Sequence, residues 1–154
     1  MSRPETILVA VDFSEPSKQA LETAIELARR EGAVLHIAHA LELPTPIFTT
    51  YAFEMPEAYL TSAREESQRL LQEAVDEAGR RGVEAKSHLL NAPAAMAIEE
   101  MAREVDADLV VVGTHGHTGL RHLALGSVAE RVIRHAPCNV LVVKHVPSGD
   151  DGRD

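Results

Sequence analysis

The sequence predicts a three-layer α/β/α sandwich: a single domain built around a five-stranded parallel sheet. Short apolar, β-branched segments alternate with longer ones whose apolar residues recur at helical spacing, the pattern of strand–helix–strand crossovers. Several short segments are apolar at every position, as strands covered on both faces must be. The chain has 154 residues, 45% of them hydrophobic and 25% charged, enough for one domain with its own core and unlike a disordered chain.

Ile7, Leu8, Val9, Ala10 and Val11 form the first strand. Asp12 and Ser14 end it and supply oxygens that start a helix, in whose first turn Pro16 is tolerated. Ala20, Leu21, Ala24, Ile25 and Ala28 make that helix's apolar face, and Gly32 stops it after Arg29 and Arg30. The second strand spans 34–40. Residues 43–56 break the pattern with Pro44, Pro46 and Pro56, and Phe48, Tyr51, Phe53 and Tyr59 fall there or just beyond. This loop either packs on its own side chains or serves as a lid or partner surface.

A long helix over 57–80 follows, its face carried by Ala63, Leu70, Leu71, Ala74 and Ala78. Val83, Ala85, Ser87 and Leu89 alternate with Glu84, Lys86 and His88, which places a third strand with one polar face near a sheet edge. Pro93 opens a third helix with a stripe of Ala94, Ala97, Ile98, Met101 and Val105. Leu109, Val110, Val111 and Val112 are a buried fourth strand, 127–135 is helical up to Pro137, and 139–143 is the last strand. The domain is expected over 1–147, with 148–154 a disordered acidic tail.

Charge and cysteine content narrow the function. A net charge of −9 argues against general nucleic-acid binding, which needs clustered Lys and Arg. No apolar run is long enough to cross a bilayer, and the first residues lack the layout of a signal peptide. Cys138 is the single cysteine, so no internal disulfide forms, which suits a cytoplasmic location. One stretch is basic: Arg121, Arg131 and Arg134 face only Glu130 between 113 and 135, with His115, His117, His122 and His135 among them. Charge alone leaves two readings of this island: a site for an anionic ligand, or a helix face that is simply basic.

Ligands of doubly wound sheets bind beyond the carboxyl ends of the strands, where the winding reverses. With the first strand central, Asp12 and Gly113 flank that crevice. After the fourth strand come Gly113, Gly116 and Gly119, then Gly126 and Ser127 at a helix start. Glycine lets the backbone approach an anion, a helix N-terminus offers unpaired N–H groups, and Ser127 adds a hydroxyl. Spacing alone does not separate this reading from tight turns. Neither GxxxxGK[ST] nor GxGxxG is present, so P-loop and Rossmann sites are excluded.

Gly113-x2-Gly116-x9-Gly126-Ser127 is similar to the G-x2-G-x9-G-[ST] signature of the ATP-binding branch of the universal stress protein family. The opening Val9-Ala10-Val11-Asp12-Phe13-Ser14 and closing Val140-Leu141-Val142-Val143 resemble that family too. The resemblance implies an adenine-nucleotide α-hydrolase-like fold with strand order 3-2-1-4-5. It implies Asp12 near the ribose and phosphates, and main-chain groups of Ala40 on the adenine edge. Val112 and Gly113 would pass the nucleoside, Gly116 would approach the ribose and phosphates, and Gly126, Ser127 and the Val128 amide would hold the phosphates. His115 would be a polar contact. ATP is the expected ligand, with Mg²⁺ or Mn²⁺ shared with its phosphates.

Asp12 has a second explanation, as a cap of the first helix. No Cys or carboxylate completes a protein-held metal set with His115, His117 and His122, and His36 and His39 lie on opposite strand faces. Ser127 lacks a G-x-S-x-G elbow, and no catalytic residue is assigned. Two classes remain: a nucleotide-dependent stress or signalling module with an unknown protein partner, or a slow ATP hydrolase or nucleotidyl-transferring enzyme. HxGH and SGGxDS motifs are absent, which favours the first. The last strand, uncharged before Lys144 and expected at an edge, predicts a homodimer through 139–143, to which the resemblance also points, unless the loop over 44–56 folds over that edge and keeps the protein monomeric.

Overall fold

The computed structural model describes residues 2–42, 56–115 and 125–146. Its elements are β1 (Thr6–Ala10), α1 (Glu15–Glu31), β2 (Val34–Ala40), α2 (Glu57–Arg80), β3 (Ala85–Leu90), α3 (Ala94–Glu104), β4 (Leu109–Gly113), α4 (Ser127–His135) and β5 (Asn139–Val143). All strand pairs are parallel, in the order β3-β2-β1-β4-β5, as expected. The loop over 43–55 and the tail over 148–154 lie outside the described residues.

Side-chain alternation along the central strands divides the core into two layers. Ile7, Val9, Leu35, Ile37 and Val111 point to one face and meet Ala24, Ile25 and Ala28 of α1 and Leu71 and Ala74 of α2. Leu8, Ala38, Val110 and Val112 point to the other and meet Ile98 and Met101 of α3 and Ala129 and Val132 of α4. One-residue register slips are costly here, because each would exchange the two sets of contacts.

Local chemistry sets the element ends. Ser14 caps α1, its hydroxyl accepting from the Ser17 amide at 3.4 Å, and Gly32 ends the helix at φ +68°, where glycine has no Cβ penalty. α3 begins after Pro93, which offers no side-chain cap. The orphan Ala94 amide instead donates to Glu42 Oε1 at 2.8 Å, a carboxylate at the positive end of the helix. β3 lies at the edge with Lys86 and Ser87 exposed, and the buried Val83 just precedes it rather than belonging to the strand.

Candidate functional site

In a parallel sheet every crossover helix begins near the carboxyl end of the preceding strand, so helix N-termini gather at one rim. Here the ends of β1, β2 and β4 and the first turns of α1, α3 and α4 enclose a cleft of about 470 Å³. That size suits a small ligand. A second hollow, about 540 Å³, lies at the amino end of β4 and β5 and is lined by Pro4, Asp108, Pro137 and Cys138. It contains no glycine or helix start, and its Asp108 carboxylate already accepts from the Glu5 and Thr6 amides at 2.9 Å each. Burial pushes the Cys138 thiol up from its ordinary pKa, away from a reactive thiolate. The carboxyl-end cleft is the candidate site.

Asp12, Ala40, Val112, Gly113, His115, Gly126, Ser127 and Val128 all line this cleft. Gly116 lies outside the described residues, as do His117, Gly119, Arg121 and His122. Asp12 follows β1, and its Oδ1 accepts from the Ser14 amide at 3.0 Å and from the Ser14 hydroxyl. The Asp12 amide donates to Ser17 Oγ at 3.2 Å. Asp12 therefore organises the start of α1 and lines the cleft at once.

Space explains two of the glycines. A Cβ at Gly113 would lie 3.2 Å from the Pro16 carbonyl oxygen, in the first turn of α1. One at Gly126 would lie 3.1 Å from the Thr114 carbonyl oxygen, which also accepts from the Gly126 amide at 2.6 Å. Glycine at both positions draws the end of β4, the start of α1 and the start of α4 into close contact. Ser127 and the 37%-exposed Val128 then open α4 on the cleft wall.

The expected basic island is corrected where it is described. Arg131 pairs with the buried Glu99 across α3 and α4 at 3.4 Å, and Arg134 pairs with Glu130 at 2.8 Å. Neither lines the cleft, and among the described lining residues there is no lysine or arginine. The charged side chains are Asp12 and Glu42, with His39 and His115 as the titratable bases. Favourable potential for an anion comes from helix N-termini and backbone amides. Among the described residues no group of three or more His, Cys, Asp or Glu side chains is placed to hold a metal ion.

Ser17, Glu42 and Thr114 line the cleft without having been singled out from sequence, as does His39, considered from sequence only for a joint role with His36. Ser17 reads as an ordinary first-turn residue, and Glu42 reaches α3 across 52 positions, so neither carries a local signal. His39 and Thr114 sit at strand ends, where the general rule for parallel sheets points to them. Nδ1 of His115 lies 3.1 Å from Thr114 Oγ1, which ties the strand end together.

The model of the universal stress protein family matches residues 4–144. The chain is 32% identical over 145 residues to universal stress protein YxiE of Bacillus subtilis, covering 90% of this chain and 97% of that one. A solved universal stress protein in complex with cAMP superposes with TM-score 0.70 at 30% identity, over 92% of this chain and 98% of the other. The universal stress protein from Archaeoglobus fulgidus in complex with dAMP superposes with TM-score 0.65 at 29% identity, over 93% and 100%.

Proposed function

This chain belongs to the universal stress protein family, and from that premise we propose that its cleft binds ATP and that occupancy sets the state of a stress or signalling module. The observation that carries the reading is the cradle at β4 and α4. Two glycines stand where a Cβ would sit within 3.1–3.2 Å of a backbone carbonyl oxygen, tighter than ordinary contact, beside a helix N-terminus with Ser127 in its first turn. The solved relatives hold cAMP and dAMP, which supports an adenine nucleotide as the ligand class.

With phosphates at Gly126, Ser127 and the Val128 amide, the nucleoside runs past Val112 and Gly113 toward β2. Asp12 meets the ribose and phosphates, and main-chain groups of Ala40 meet the adenine edge, against an apolar wall that includes Ala94 and Ile98. His115 adds a polar contact, and Gly116 completes the motif. A Mg²⁺ or Mn²⁺ ion bound chiefly by the phosphates neutralises charge the cleft does not match, since such ions keep several waters and few protein ligands. No catalytic residue is assigned. The module is proposed to work as a homodimer joined through β5.

Mass analysis of ligand released from freshly purified protein, followed by calorimetry, tests the assignment. An adenine nucleotide should be recovered, and ATP should bind more tightly than AMP, GTP or CTP. Equal affinity for ATP, GTP and CTP would overturn the adenine assignment, and equal affinity for ATP and AMP would overturn the triphosphate cradle.

A further inference from the structure

We propose that His39 is a positioning residue for the nucleotide site, holding the two neighbours of Asp12 so that the Asp12 carboxylate is presented to the cleft. The inference rests on the cleft being a nucleotide site, but its central claim is about the unliganded chain. Asp12 is followed by Phe13 at φ +64°, one of two non-glycine residues at positive φ among those described. A bulky side chain is sterically penalised in that region and stays there only where its surroundings fix it.

Two sets of contacts do the fixing. On the α1 side, Asp12 Oδ1 takes the Ser14 amide and hydroxyl, and the Asp12 amide reaches Ser17 Oγ. On the β2 side stands His39, whose Nδ1 lies 2.8 Å from the Val11 carbonyl oxygen. A carbonyl only accepts, so Nδ1 carries the proton and the tautomer is set. The same ring packs on Phe13, with centroids 4.7 Å apart and planes inclined by 47°. His39 thus grips the residue before Asp12 through a hydrogen bond and the residue after it through ring packing.

A histidine that merely fills space needs neither contact to be specific. His39 is half-buried and lines the cleft, and the two residues it holds, which also join the α1/α2 core layer, flank a residue of the site. Its contribution is geometric: it sets where the carboxylate stands.

The test compares His39→Leu, which loses the donor, with His39→Asn, whose amide nitrogen takes the place of Nδ1. His39→Gln carries the donor one bond too far and controls for polarity if the leucine variant fails to fold. ATP affinity by calorimetry should fall tenfold or more in His39→Leu and His39→Gln and fall less, by about threefold, in His39→Asn, which keeps the hydrogen bond to Val11 but loses the ring packing on Phe13. Phe13→Gly added to His39→Leu should restore part of the affinity, because glycine adopts positive φ without steric penalty. A merely structural histidine predicts the opposite, since the second change removes further packing. In the nucleotide-free protein, NMR couplings and NOEs at residue 13 should show positive φ in wild type, positive φ averaged with other values in His39→Asn, and its loss in His39→Gln. Retained positive φ in His39→Gln, or His39→Asn binding no better than His39→Gln, overturns the inference. If wild type binds no nucleotide, the functional reading fails while the φ measurement still decides the positioning claim.

Discussion

At the residue scale, Gly126 carries a constraint that an inspection of free space alone would miss. Its amide and the position its Cβ would take both meet the Thr114 carbonyl oxygen. Gly126→Val therefore drives α4 away from the end of β4 as well as narrowing the cradle. Circular dichroism should be unchanged while ATP binding is lost; normal affinity would place the site elsewhere. Ser127→Ala is milder, removing one hydrogen bond to a charged group, worth about 1.5–3 kcal/mol, so calorimetry should show affinity lower by tenfold or more. An unchanged affinity would remove Ser127 from the phosphate site. Charge gives a third outcome. With no lysine or arginine among the described lining residues, and with Asp12 and Glu42 present, ATP should bind markedly more weakly in EDTA. Equal affinity with and without EDTA would show that amides and histidines suffice.

At the scale of elements, β2 and β3 hold a pair of histidines that no local pattern announces. His36 Nδ1 lies 2.8 Å from His88 Nε2, with ring planes 24° apart. Burial pushes both below the ordinary histidine pKa, with Lys86 adding to the effect at each and the partner imidazole at His36; Glu84 opposes it at His36 and Glu104 at His88. Unfolding returns both to their ordinary value of about 6.5, so below that pH the unfolded chain binds more protons. Stability is then fully retained above the window and declines as pH falls through it. Tm should drop between pH 7.5 and 5.5, and the drop should shrink in His88→Gln; a Tm that rises on acidification contradicts the account.

The pair also marks what sequence reveals. α2 and β2 were legible to the residue, because periodicity and the flanking breakers are local signals. Gly113 and Gly126 were legible for the same reason, since one ends β4 and the other precedes α4. Contacts set by pairing register were not: His36 meets His88 only because Ala38 stands opposite it in the β2–β3 register. Glu99 reads as a solvated helix residue until α4 brings Arg131 to it, and Ser67 takes a buried place on α2 where the apolar stripe was expected to rely on Leu70.

For the whole molecule the open question is the β5 edge. Among the described residues β5 pairs only with β4, so its outer backbone groups form one border of the sheet. Leu141 is 36% exposed, and the strand carries no charge across Asn139–Val143. An uncharged, apolar edge is a template for another strand, and proteins protect such edges with charge, proline, a bulge or a partner. Antiparallel pairing of β5 with its own copy joins both borders and closes a two-fold assembly. The alternation along β5 decides which substitution tests this. Val140 and Val142 pack against the α3/α4 layer and Val143 against the α1/α2 layer, so a charge there would attack one protomer's own core. Leu141 is exposed, and Leu141→Lys would put two ammonium groups near the two-fold axis with little change inside each subunit. Light scattering at micromolar concentration should give twice the 16.7 kDa chain mass for wild type and the single-chain mass for Leu141→Lys, with matching circular dichroism spectra. A wild-type mass equal to one chain would leave β5 as a bare edge and remove the dimer from the functional account.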